Sequence, residues 1–143
     1  MTRIKHERGG LFQLPLRFPR FMKLIRIENK NQPLPAPLQA IYCDSFLCRL
    51  RGLMFRSSLP HDEGLLLVEG RDSRLDTSIH MLFVYMDLAV IWINSEYTVV
   101  DSVLARTWRP AYAPHKPARY ILEIHRDRLN EFRIGDHVAF QDA

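Results

Sequence analysis

Leu88-Ala89-Val90-Ile91-Trp92-Ile93 runs into Asn94-Ser95-Glu96 and returns as Tyr97-Thr98-Val99-Val100-Asp101. The first run is apolar at every position, so both of its faces need cover, and its β-branched and aromatic residues favour extended backbone. Asn-Ser-Glu is turn chemistry, and the second run reads as the partner strand of a hairpin. A strand apolar on both sides belongs in the middle of a sheet. The fold is therefore expected to grow outward from this hairpin.

Further short strands are expected at residues 22–27, 38–42, 65–68, 120–124 and 137–140. One helical turn is predicted over Asp127–Phe132, and Ile134-Gly135-Asp136 is a turn. Pro33, Pro35 and Pro37 keep the first connector extended, because each proline fixes φ and restrains the residue before it. Phe46, Leu47, Leu50, Leu53 and Met54 share one face of a helix, with Cys48 and Arg49 turned away. Asp44 or Ser45 can cap that helix, and Gly52 falls where it stops. About seven short strands and one short helix, separated by Pro and Gly turns, predict a mainly β, compact antiparallel sandwich or barrel.

Composition narrows the function classes. The chain has 143 residues, 47% of them hydrophobic, which suits one domain with a sizeable core. Net charge is +4, all of it in residues 1–21, while residues 22–143 balance fifteen basic against fifteen acidic groups. Residues 1–21 therefore read as a basic flexible leader, or as sequence upstream of a start at Met22, and residues 22–143 as a single β-rich domain. Any nucleic-acid contact is expected only weakly, through Phe12, Phe18, Phe21 and the basic groups of that leader. No apolar run approaches the roughly 18 residues of a membrane span, and no secretory signal is read, so the cytoplasm is the expected compartment. Cys43 and Cys48, if both lie on one helix, point about 140° apart; two reduced thiols are expected.

Arg49, Gly52, Leu53, Met54, Arg56 and Leu59 form an Arg-x-x-Gly-Leu-Met-x-Arg run. An acidic-glycine turn and apolar strand follow at Asp62-Glu63-Gly64-Leu65. Asp87 then opens the hairpin, Val99-Val100 and Pro110 come next, and Leu122-Glu123 and Gly135-Asp136 complete the order. With these residues the chain resembles the domain of unknown function 192 family (uncharacterised protein family 0127) over about residues 38–140. It departs at Ser78-Ile79-His80-Met81, where many members carry a Trp-Met-Lys-Asn-Thr-like run, and it lacks their export signal. The resemblance implies a jelly-roll-like β-sandwich and no particular reaction.

Candidate sites carry paired readings. Either Arg49, Arg51 and Arg56 bind an anion through bidentate hydrogen bonds, or Arg49 and Arg56 pair with internal acids such as Glu63 or Asp87. His80, between Ile79 and Met81, is either a packed core residue or an acid/base group partnered by Asp87 or Glu63. The loop containing Trp108, Arg109 and Tyr112 either contacts a ligand or caps the core. Six histidines are dispersed without ligand spacing, so neither a metal nor a cofactor is expected. The reading is a non-enzymatic small-ligand or partner-binding module using Arg49, Arg56, His80, Trp108 and Arg109. The alternative is an acid/base hydrolase built on His80 with Asp87 or Glu63.

Overall fold

A computed structural model describes residues 22–143; the leader, and every expectation attached to it, lies outside the described residues. The chain forms a seven-stranded sheet in the order β5-β4-β6-β3-β2-β1-β7. The strands are β1 (Leu24–Asn29), β2 (Gln39–Cys43), β3 (Glu63–Ser73), β4 (Leu88–Ile93), β5 (Val99–Ala105), β6 (Ala118–His125) and β7 (Val138–Asp142). Helix α1 (Phe46–Arg51) and a 3-10 helix (Arg126–Glu131) complete it. The mainly β expectation holds; the apolar strand is interior, paired on both sides, but stands next to the edge strand β5 rather than at the centre. β4 is buried at every residue and pairs antiparallel with both β5 and β6.

The sheet curls into a half-barrel. Its edge strands, β5 and β7, lie at opposite ends of the strand order, yet their leading ends meet at a bridge between Thr98 and His137. Backbone bonds from Val99 to Asp136 (2.8 Å) and from Val138 to Tyr97 (2.9 Å) secure that junction. Among the described residues the one parallel pair is β2 with β3. Parallel neighbours need a long crossover, and residues 44–62, including α1, supply it.

Strict alternation divides the core in two. Ala89, Ile91, Ile93, Leu66, Val68, Leu122 and Ile124 join one cluster on one face. Leu88, Val90, Trp92, Leu65, Leu67 and Ile121 join another on the opposite face. The second cluster is covered by residues from the turn after α1 and from the 79–84 loop, namely Leu53, Leu59, Ile79, Met81 and Val84. Trp92 fixes that cover, because its buried indole N–H donates to the Thr77 carbonyl at 2.8 Å.

Two local expectations change. The apolar face of α1 is exposed: Phe46 is 69%, Leu47 75% and Leu50 55% accessible, and no residue of α1 is buried. The helix is six residues long and stops at Gly52, whose φ of +48° turns the chain so that Leu53, not the helix, enters the core. The caps are as expected, with the Ser45 hydroxyl accepting from the Cys48 N–H. Cys43 and Cys48 form a disulfide, with Cα atoms 5.7 Å apart, rather than two reduced thiols. The angular argument against it fails because Cys43 ends β2 and only Cys48 is helical.

Candidate functional site

Glu123 lies on β6 between Leu122 and Ile124, with Leu65 and Val90 as its neighbours across the sheet. By alternation its side chain belongs to the face covered by Leu53, Ile79 and Val84. There it lines a cavity of about 320 Å³ with His80, Arg49, Arg51, Leu53, Glu69 and residues of α1. Only 5% of Glu123 is accessible. Burial pushes its pKa up to about 7, with no cation or donor among the described residues offsetting the effect. Gly52 passes directly over this carboxylate; a Cβ there would sit 4.0 Å from Glu123 Oε2.

One wall of the cavity is braced by charge. Arg49 Nε pairs with Glu69 at 3.0 Å, and its guanidinium also donates to the Asp44 and Val68 carbonyls at 2.5 and 3.2 Å. Arg49 thus pairs internally, with Glu69 rather than the expected Glu63 or Asp87. Across the cavity, His80 is held by its neighbours' backbones. Ile79 exchanges bonds with Tyr112 (both 2.9 Å), and Met81 donates to Arg109 (2.8 Å) while accepting from Trp108 (2.9 Å). His80 Nδ1 is buried and bonded to no protein group among the described residues. A histidine with an orphaned ring nitrogen and a buried carboxyl therefore line one cavity. Each is costly unless something satisfies it.

The other expected residues fall elsewhere. Asp87 accepts the Thr107 N–H at 2.9 Å and pairs with Arg106 at 3.3 Å. It lines a second cavity, of about 400 Å³, so it does not face His80. Arg56 and Glu63 lie close enough for each charge to favour the other. Burial is nonetheless the larger influence on both, lowering the arginine's pKa and raising the glutamate's. Arg109 stacks on the Tyr112 ring at 5.9 Å. Trp108 is half exposed and joins an aromatic cluster: Phe55–Phe83 (5.6 Å), Phe83–Trp108 (5.2 Å) and Tyr85–Trp108 (5.8 Å). Phe55, Phe83 and Trp108 all have left-handed backbone, with φ of 65°, 60° and 63°. For residues with a Cβ that conformation costs roughly 1–2 kcal/mol each.

Residue reasoning did not pick out Glu123. The signal was available: an acid inside Ile121-Leu122-Glu123-Ile124, a strand otherwise apolar on both faces. Sequence spacing also missed a meeting of His61, His125 and Asp127.

A curled β-domain with a carboxyl buried in a cavity under a short capped helix is the class these features define. The chain belongs to the domain of unknown function 192 family, DUF192, described as an uncharacterized ACR, whose pattern matches residues 26–140. Curated relatives named as uncharacterised family 0127 proteins include one from Thermococcus kodakarensis, 44% identical over 68% of this chain and 61% of its own length. A Thermococcus gammatolerans relative is 45% identical over 56% of this chain. The chain thus spans 50% and 61% of the lengths of those two relatives. A Pyrococcus abyssi relative is 32% identical over 80% of this chain and 96% of its own length. Among solved structures, a Sinorhizobium meliloti 1021 protein superposes with a TM-score of 0.71 at 20% identity, covering 83% of this chain and 93% of that one. A protein of unknown function from Novosphingobium aromaticivorans gives 0.69 at 18% identity, covering 82% and 84%. At such identities the likeness is one of fold. Among the described residues no helix is long and apolar enough to cross a membrane.

Proposed function

We propose that the domain is a non-enzymatic binding module whose small ligand occupies the cavity beside α1. The observation that carries this reading is the Glu123 carboxyl, buried with desolvation alone setting its pKa and lining the same cavity as His80, whose Nδ1 has no protein partner among the described residues. A ligand suited to both offers a hydrogen-bond donor, such as an ammonium, amide or hydroxyl, to Glu123. It also carries an apolar body for Leu53, Val84 and Ile121. Arg49 serves as a brace in this reading, and Arg56, Trp108 and Arg109 extend the recognition surface beyond the cavity.

The test is a thermal-shift screen of the full chain against amines, amino acids, polyols and sugars. A ligand at about 100 times its dissociation constant adds roughly 2.7 kcal/mol, several degrees for a domain this size. Hits weakened at least tenfold by Glu123→Gln and by His80→Ala are the expected result. A flat screen, or hits indifferent to both substitutions, overturns the cavity reading. The remaining candidate is then a macromolecular partner on the Arg56–Trp108–Arg109 surface.

A further inference from the structure

We propose that His61, His125 and Asp127 form a surface site for a divalent transition-metal ion of the zinc, cobalt or nickel type. His61 lies in the turn leading into β3, His125 ends β6, and Asp127 stands in the first turn of the 3-10 helix. Their ligand atoms all lie within 4.8 Å of one another. Asp127 Oδ2 is 3.6 Å from His61 Nε2 and 3.7 Å from His125 Nδ1. With metal–ligand bonds of about 2.0–2.2 Å, neighbouring donors in a tetrahedral site stand roughly 3.3–3.5 Å apart. The apo arrangement is therefore within a few tenths of an ångström of a bound one on both measured edges.

The donor set decides the ion. Two imidazole nitrogens and one carboxylate oxygen suit zinc, cobalt, nickel or copper, whereas calcium and magnesium need oxygen ligands. The two rings stack with centroids 3.7 Å apart and planes at 24°, so their in-plane lone pairs run side by side, and the exposed His61 ring swings out of the stack to share an ion with His125. The acid is already divided between tasks: Oδ1 lies 3.7 Å from Arg126 Nε, while Oδ2 faces the histidines. His125 Nδ1 now accepts the Asp127 N–H at 3.1 Å. Metal binding takes that lone pair and leaves an exposed N–H to water. The His61 and Asp127 side chains are 62% and 60% accessible, so the ion can enter and keep at least one water ligand.

The test is titration of the tag-free full chain with cobalt(II), followed by displacement with zinc. The expected result is one equivalent bound, with visible absorption of a low-coordinate cobalt site, reversal by chelator, and a melting point raised by zinc. His61→Ala leaves a folded protein and removes a ligand. It and Asp127→Asn are each expected to weaken binding by more than about tenfold, since loss of even an outer-shell partner costs that much. His115→Ala, whose ring pairs with Asp101 outside the cluster, leaves affinity unchanged. Binding indifferent to both His61→Ala and Asp127→Asn, or no saturable binding in the parent chain, overturns the proposal.

Discussion

Glu123 has a consequence for stability that its neighbours lack. Its folded pKa of about 7 stands above the ordinary 4.5. Below pH 4.5 the group is protonated in both folded and unfolded chains and contributes nothing to the pH dependence. As pH rises from there, the unfolded chain releases its proton first, and stability falls until the folded group also ionises near 7. The full loss, about 3 kcal/mol, is reached above that. Glu123→Gln is therefore expected to raise the melting temperature at pH 8.5 and to change it little at pH 4. Parallel pH scans by circular dichroism check this; equal shifts at both pH values refute it. This residue was legible only in part: a strand over residues 120–124 follows from its apolar content, but the depth of one acid within it depends on what covers the sheet.

Helix α1 is held by means other than hydrophobic burial. The Cys43–Cys48 bridge and the Arg49–Glu69 pair attach it and the Ser45 cap closes its first turn, while Phe46, Leu47 and Leu50 stay exposed. The bridge joins residues only five apart in sequence, so its chain-entropy contribution is small for a disulfide, about 2 kcal/mol. Reduction is expected to speed amide exchange over residues 44–54 and leave β4 and β6 protected. Mass-resolved exchange with and without reductant decides it, and strand amides released together with the helix would refute it. At this scale the sequence spoke clearly where period and caps sufficed. The stop at Gly52, the cap at Ser45 and the turn after β6 were all readable. Which way the apolar face of α1 points was not, because periodicity defines a face but not its partner. The disulfide was hidden by the premise that both cysteines share one helix.

For the molecule as a whole, one buried cation joins segments that lie far apart in sequence. Arg128 is 3% accessible and binds Glu131 through two nitrogens, at 2.5 and 3.2 Å. It also donates to the carbonyls of Ala36, Pro37 and His61, at 2.7, 3.1 and 2.6 Å. It thereby ties the proline connector and the entry to β3 onto the 3-10 helix. Arg128→Ala leaves a partly buried acid and three carbonyls without that partner, and about 3 kcal/mol of destabilisation is expected. A urea midpoint within error of the parent chain would contradict this. Nothing local in Arg126-Asp127-Arg128 marks the third residue as internal; apart from Glu131, its partners are 92, 91 and 67 positions away and meet only when the chain has folded.

The left-handed aromatics set folding and surface in opposition. Phe55, Phe83 and Trp108 keep their rings at least partly in water while their backbones adopt a conformation in which glycine would be at ease. A sequence shaped for durability alone would drift toward glycine at these positions and lose the rings. Keeping them means that the molecule tolerates a permanent internal handicap for the sake of its outer shape. The most informative variants of this protein are thus ones that become sturdier as they become plainer.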